Sequence, residues 1–347
     1  MEAYINGYSA ISPQNSFTEE MFLQEPREYN GVRFLKCVEP QYTGLLDPMA
    51  ARRMSRIIKM GVTAAMRCLK NAGLEKPGAI ITGTGMGCVE DTGRFLSSIY
   101  ENEEKLLNPT PFIQSTHNTV AATIALMLKC NGYNSTYGHR GFSFETALLD
   151  ALMLLAEGEA DEILAGALDE LTPDLFTITD RLGFWKKEPV NNLRLGEYKT
   201  HGTIAGEGVA FLALSRNKTE KSVAAITSVR TLFNPEGFDE VEELLKNQAK
   251  PNLVILGING DNEGDRLYQK LRSGIFSNIP ALYYKHLCGE YDTSTAFATT
   301  LAARIIKDQH VPEIMKTDDH HYGTINNILI YNHLRNRDHS SIVVSSC

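Results

Sequence analysis

Short apolar segments alternate with longer amphipathic segments along the chain, and this pattern predicts strands that alternate with helices. Tyr4–Ser9 is the first predicted strand, and Ala50–Ala72 is a predicted helix that ends at Gly73. The apolar positions of that helix recur at helical spacing: Met54, Ile57, Ile58, Val62, Ala65 and Leu69. Ala79–Thr82 then predicts a short buried strand, which the glycine-rich segment Gly83–Gly87 follows.

The middle of the chain predicts a helix that is buried on nearly all sides. Phe144–Glu157 has apolar residues all around its axis: Ala147, Leu148, Leu149, Ala151, Leu152, Leu154 and Leu155. Predicted strands flank it at Tyr133–Tyr137 and Glu162–Ala167. A helix between two strands is typical of a crossover in a parallel sheet, so this region favours mainly parallel sheets covered by helices.

A second series of elements begins after the strand Val209–Leu214 and the polar turn Arg216–Lys221. Its predicted strands and its small-residue helix are Val223–Val229, Leu253–Leu256, Ala296–Ile306, Ile328–Tyr331 and Ile342–Val344. We therefore predict an α/β protein of two halves, residues 1–217 and 218–347.

Composition narrows the classes of function. The 347 residues include 43% hydrophobic and 22% charged residues, and the net charge of −8 argues against nucleic acid and anionic membranes as partners. We see neither a segment long enough to span a membrane nor a signal peptide. The six scattered cysteines form no CxxC pair, so we expect reduced thiols, a cytoplasmic location, no metal site and no cofactor.

Several motifs, in order and spacing, resemble those of β-ketoacyl-acyl carrier protein synthases. They are the Ile5–Pro13 opening, Asn118–Ala121, Gly132, Gly158–Asp161, Ala165–Ala167, Gly206–Gly208 and Asp308–Pro312. The resemblance covers nearly the whole chain and implies a thiolase fold of five layers, αβαβα, with two duplicated halves.

The resemblance also implies a catalytic cysteine and two histidines, and this chain lacks all three. Counting from either Gly132 or Gly158 puts the cysteine position at Gly141. The first histidine position corresponds to Gly257 and the second to Glu290, while the family's lysine is retained as Lys285. A different segment, Leu334–His339, replaces the glycine-rich gate loop. Lys285 and Glu290 could pair where the site has been lost, because buried charges are usually paired.

This pattern resembles the chain-length-factor subunits that accompany active ketosynthases, including those for aromatic polyketides and aryl polyenes. It implies a non-catalytic subunit, a pseudoenzyme, in fatty acid, polyketide or aryl polyene biosynthesis. The expected partner is a ketosynthase in a heterodimer, or a second copy of the chain in a homodimer. In either case we expect the strand Tyr133–Tyr137 to form the dimer contact. An acyl carrier protein is a further expected partner. The chain departs from the polyketide branch because it has glycine where glutamine is often found, and it is short for the family.

Other readings remain open at the level of sequence. A thiolase-fold acyltransferase or hydrolase could use Cys88, which lies near a helix start that would lower its pKa, or Ser143 with His139. An acyl-binding homodimer without turnover is a third possibility. The Gly83–Gly87 segment lacks the spacing of a phosphate-binding loop and predicts a tight turn.

Two histidine-containing segments are weaker candidates. His201-Gly202-Thr203 imitates the family's histidine segment in the wrong half, so we interpret His201 as a surface or turn histidine. The run Asp318–His321 has adjacent acidic and histidine residues, and we interpret it as a solvated turn because adjacent residues rarely converge on one metal ion.

Overall fold

The computed structural model describes residues 2–18, 23–246, 248–317 and 322–347. The strands of this part of the chain are β1 (Ala3–Ile11), β2 (Ala79–Gly83), β3 (Tyr133–Tyr137), β4 (Glu162–Asp169), β5 (Gly208–Ser215), β6 (Ala224–Phe233), β7 (Leu253–Leu256), β8 (Ala281–Tyr283), β9 (Asn327–Leu334) and β10 (Asp338–Ser345). The α-helices are α1 (Pro48–Ala51), α2 (Arg56–Ala72), α3 (Val89–Glu101), α4 (Pro109–Gln114), α5 (Thr119–Leu128), α6 (Ser143–Glu157), α7 (Pro173–Arg181), α8 (Phe238–Lys246), α9 (Asp265–Ser273), α10 (Lys285–Cys288) and α11 (Ser294–Asp308).

The sheet shows that the architecture repeats. Its strand order is β3-β2-β4-β5-β1-β6-β10-β9-β7-β8. From the outer edge to the centre, the first half reads β3-β2-β4-β5-β1 and the second reads β8-β7-β9-β10-β6, so corresponding strands have the same order in both halves. In the first half β2 pairs in parallel with β3 and β4, and in the second half β7 pairs in parallel with β8 and β9. Antiparallel pairing of β1 with β6 joins the halves. The expected α/β fold with two similar halves is confirmed, while the boundary at residue 217, which falls between β5 and β6, stays a prediction.

Helices form three layers around the sheet. Helices α6 and α11 pack into the largest apolar core, between the strands of the two halves. The alternation of side chains along β7 shows why: Leu253 and Ile255 face this central core, whereas Val254 and Leu256 face the outer helices α8 and α9. On the other side, α2 and α5 cover the outer face of the first half. Because both faces of each half are covered, the strands read as nearly continuous apolar runs.

The predicted helix Ala50–Ala72 is wrong in one respect, because it is broken near its start. Asp47 caps the short helix α1 by accepting from the N–H groups of Met49 and Ala50, and Pro48 favours the first turn. Ser55 then has extended backbone (ψ 171°), and α2 starts only at Arg56. Local capping therefore overrides the apolar pattern that runs through both helices.

A buried carboxylate ties α2 to two loops. Glu207, in the Gly206–Gly208 segment, is fully buried and accepts from Arg56 Nη1 at 2.9 Å and Nη2 at 2.6 Å. It also accepts from the N–H groups of Cys37 (2.8 Å) and Leu171 (2.9 Å). Burial on its own raises the pKa of Glu207, but the hydrogen bonds and charge of Arg56 outweigh it and hold the pKa below its usual range.

In the described part of the chain, no helix is long and apolar enough to cross a membrane.

This network makes a prediction for stability. Glu207→Gln leaves Arg56 with Glu39 as its remaining close carboxylate and weakens the acceptors of two backbone N–H groups, so we expect a loss of about 1–3 kcal/mol of unfolding free energy. Urea unfolding measures the loss. Glu197→Gln is the matched control, because the Arg194–Glu197 pair is exposed and we expect no shift of its midpoint. Equal stability of the two variants would contradict this role of Glu207.

Candidate functional site

A tight elbow joins β3 to α6 at the predicted nucleophile position. After Tyr137 the chain turns through the short 3-10 helix Arg140–Phe142, and Arg140 has left-handed backbone (φ 49°). The Ser143 hydroxyl fixes this turn: it accepts from His139 N–H at 2.8 Å and lies 2.7 Å from the carbonyl oxygen of Arg140. The elbow is therefore held by backbone contacts, and Ser143 is engaged in them.

A hairpin from the other half closes over Gly141. A Cβ atom at Gly141 would lie 2.9 Å from Asp338 Oδ2 and 3.1 Å from both Asp338 Cβ and Leu334 Cδ2. Leu334 ends β9 and Asp338 begins β10, and the two residues pair across the hairpin. A side chain at this position is thus crowded before it reaches any reacting group.

The same hairpin is bound to the first turn of α6. Ser340 of β10 donates to Glu145 Oε1 at 2.7 Å, and both residues are buried. Burial raises the pKa of Glu145, although its hydrogen bond with Ser340 opposes the rise. Glu145 therefore orients toward the hairpin, and not toward His139 as an acidic partner in a hydrolase would.

The predicted Lys285–Glu290 pair is present. Lys285 Nζ contacts Glu290 Oε1, and the Lys285 side chain is fully buried. The second carboxylate oxygen of Glu290 accepts from Asn259 Nδ2 at 2.8 Å. These contacts fill the centre of the site with a compensated charge, so neither group is free to handle a substrate proton.

The structure separates Gly257 from this pair. The residue that reaches Glu290 is Asn259, two positions after Gly257, and sequence reasoning did not single it out. A Cβ at Gly257 would lie 2.2 Å from Asn332 Oδ1 and 2.6 Å from Tyr268 Oη. These two side chains lie so close to the Gly257 backbone that they leave no space for a side chain there. That Gly257 and Glu290 occupy the two histidine positions stays a prediction.

Two adjoining cavities lie beside Glu290, and we call them together the cleft. Their volumes are about 300 Å³ and about 290 Å³. Five residues line both: Leu182, Phe184, Trp185, Glu290 and Arg335. The Arg335 guanidinium lies 3.5 Å from the centroid of the Phe184 ring, where the cavities meet. Neither Gly141 nor Gly257 is among the lining residues.

Three carboxyl groups that the sequence analysis missed line the second cavity. Asp169 accepts from four donors of Thr84, Gly85 and Thr293, at 2.7 to 3.1 Å. Burial raises the pKa of Asp169, and it raises the pKa of both Glu170 and Asp292 to about 7. The negative charge of Asp169 adds to the effect on Asp292. Asp169 and Glu170 stand at the carboxyl end of β4, which is where ligands of α/β sheets usually bind.

The alternative nucleophiles are poorly placed. Cys88 is fully buried, and burial with the charges of Glu170 and Asp91 raises its pKa, so the expectation of a lowered pKa at the helix start is wrong. The His139 ring lies 3.4 Å from Thr146 Oγ1, and its contact with Ser143 is through its backbone N–H.

The remaining candidates resolve as local structure. In the Gly83–Gly87 segment the N–H of Gly85 donates to Asp169 and that of Gly87 donates to Thr84 Oγ1, so these donors are taken by the turn itself. His201 is exposed and lies 3.5 Å from Asp261, at the rim of the first cavity. Asp318–His321 lies outside the described residues.

Buried histidines next to the site predict an acid dependence. Burial lowers the pKa of His286, on α10, to about 3, so it takes up its proton on unfolding. Neutral His286 makes its full contribution to the unfolding free energy above pH 6.5, the pKa of an unfolded histidine. As the pH decreases from 6.5 to 5, this contribution decreases by roughly 2 kcal/mol. Urea unfolding at pH 7 and pH 5 should therefore show a smaller acid loss for His286→Gln than for the wild type. His310→Gln, at an exposed position, should keep the wild-type pH dependence; if His286→Gln also keeps it, the prediction fails.

Comparisons with known proteins agree with this geometry. Residues 31–189 match the N-terminal domain of β-ketoacyl synthases. The chain is 25% identical over 189 residues to 3-oxoacyl-(acyl-carrier-protein) synthase 2 of Vibrio cholerae, a match that covers 50% of this chain and 45% of that protein. The chain thus spans about half the length of this curated relative.

Solved structures share the whole fold. An ishigamide ketosynthase/chain length factor superposes with a TM-score of 0.79 at 14% identity, covering 100% of this chain and 99% of the other. A ketosynthase in complex with its chain length factor from Xenorhabdus doucetiae gives 0.75 at 16% identity, covering 99% and 98%. At these identities the likeness shows the fold. The chain is therefore ketosynthase-like: it shares the thiolase fold of these structures, and its residues 31–189 match the model of the β-ketoacyl synthase N-terminal domain.

Proposed function

We propose that the chain is a non-catalytic subunit that pairs with an active ketosynthase and helps to line its acyl tunnel, as a chain length factor does. The observation that supports this most directly is the closed elbow, where the hairpin residues Leu334 and Asp338 crowd Gly141. A condensing enzyme needs a thiolate at such a turn and groups that stabilise the developing charge. Here the turn carries glycine, and Lys285 neutralises Glu290 within the site.

The pathway is part of the proposal. The proposed pathway is fatty acid, polyketide or aryl polyene synthesis, and an acyl carrier protein would deliver the growing chain to the ketosynthase partner. Two of the solved structures that share the fold are of ketosynthases with a chain length factor. Their likeness supports a chain-length-factor role but does not choose among the three pathways.

The edge strand β3 supports pairing with a second subunit. In the described sheet β3 has a neighbour only on one side, β2, so its outer backbone groups are unpaired. Exposed apolar side chains surround that edge on β3, α5 and α6, with exposures of 45% at Tyr133, 79% at Leu126 and 48% at Met153. An exposed edge with apolar neighbours is a template for pairing with another strand. We propose that the ketosynthase partner covers it.

The first test asks whether a cysteine restores chemistry. Gly141→Cys should give no condensation of acyl- and malonyl-carrier protein by the isolated chain, because the resemblance places Gly257 and Glu290 at the two histidine positions. It should also lower the unfolding free energy by about 1–3 kcal/mol through crowding against Asp338. Gly93→Cys is the control, since a Cβ there meets no atom within 4 Å. Condensation at a normal ketosynthase rate, by either the wild type or Gly141→Cys, would refute the proposal.

The second test concerns the dimer. Co-expression with an intact ketosynthase of the same genome should give a complex that co-elutes, and Leu126→Glu should dissociate it by placing a charge in the apolar contact. Phe233→Glu is the matched control, because Phe233 is also exposed but lies on β6, which four other strands separate from β3 in the sheet. If the chain elutes as a homodimer and forms no complex with the co-expressed ketosynthase, the result would instead favour the acyl-binding homodimer.

A further inference from the structure

Two arginines at the cleft lack acceptors. Within the described part of the chain, neither the guanidinium of Arg335 nor that of Arg140 makes a hydrogen bond or a close ion pair with a protein group. Arg335 rests on the Phe184 ring, and both arginines line the second cavity. A guanidinium has five donors in a planar fork that fits a carboxylate, so two such groups at one cavity offer an anion many unused donors.

The charges around these arginines leave room for an anion. Burial lowers the pKa of Arg335, the charges of Asp292 and Glu290 oppose this change, and the positive charge of Arg140 adds to it. Of the acidic groups at the cavity, Glu290 is paired with Lys285, and Asp169 is surrounded by four donors. Glu170 and Asp292 have pKa values of about 7, so each is only partly ionised at neutral pH. A bound anion would relieve the repulsion between the arginines.

Apart from the two arginines and the carboxyl groups, most of the cavity wall is apolar. Met86, Leu175, Ile178, Leu182 and Trp185 line the second cavity, and Ile178 and Leu182 are more than half exposed at its mouth. A cavity of about 290 Å³, continuous with one of about 300 Å³, is within the range of small-molecule sites. The wall therefore suits an apolar body, and the arginines suit its charged end.

We propose that the cleft binds a free acyl carboxylate, with its carboxylate between Arg335 and Arg140 and its chain along the apolar wall around Trp185. This site goes beyond a subunit that only pairs with a ketosynthase, and it can exist whether or not that pairing occurs. It assigns roles to two arginines that neither the elbow nor the dimer edge requires.

The chain contains a built-in reporter for this site. Trp185 is its single tryptophan, is 7% exposed and lines both cavities. Titration of the full-length chain with decanoate should change the Trp185 emission in a saturable way. Decanol, which has the same chain without the charge, and pantetheine 4′-phosphate, which has a different anion on a polar body, should bind at least about tenfold more weakly.

Variants locate the anion. Arg335→Gln and Arg140→Gln should each weaken decanoate binding about tenfold or more, since each removes charge-assisted hydrogen bonds. Arg337→Gln is the matched control, because Arg337 is on the same hairpin but lies over Phe233, outside the lining of either cavity, and it should leave affinity unchanged. Circular dichroism and thermal unfolding establish that the variants remain folded. The proposal would be overturned if decanol bound as tightly as decanoate, if pantetheine 4′-phosphate bound more tightly than decanoate, or if all three variants bound decanoate with equal affinity. These titrations use the chain alone, so a failure to form the ketosynthase complex would leave them unaffected.

Discussion

The contact between the β9–β10 hairpin and the elbow at Gly141 is the constraint on which the proposed loss of catalysis depends. The elbow belongs to the first half and the hairpin to the second, so the contact is made only when the two repeated halves meet across the central helices. Close-packed interiors tolerate little added volume, and Asp338 with Leu334 uses the space that a nucleophile would need. Glu145 and Ser340 join the same two elements next to this contact.

Charge pairing explains the rest of the site. Lys285 is fully buried, and an unpaired ammonium there would cost several kcal/mol of solvation, so its pairing with Glu290 is a condition for the fold and not an optional contact. Asn259 satisfies the other oxygen of Glu290. Farther out, the guanidinium groups of Arg335 and Arg140 line the cleft without a hydrogen bond or close ion pair to a protein group of the described residues. This difference is the reason that we propose the loss of the catalytic centre and the binding of a ligand as two separate properties.

Much of this was predictable from sequence, for identifiable reasons. The apolar α6 and the strands around it follow from periodicity, because a helix between two sheets must be apolar on nearly all sides. Lys285 and Glu290 are close in sequence, so their pairing could be suggested from the chain alone. The break between α1 and α2 was missed because the Asp47 cap and the extended backbone at Ser55 act locally against a continuous apolar pattern. The cleft was missed because Glu170, Asp292 and Arg335 come from three distant segments that only the tertiary fold brings together.

The central claim is that the thiolase elbow of this chain no longer accepts an acyl group. The most direct measurement is the intact mass of each subunit after the co-expressed complex is incubated with an acyl-carrier protein thioester. We predict that the acyl mass appears on the ketosynthase partner and that this chain keeps its unmodified mass. A stoichiometric acyl adduct on this chain, at Cys88, Ser143 or any other residue, would contradict the account.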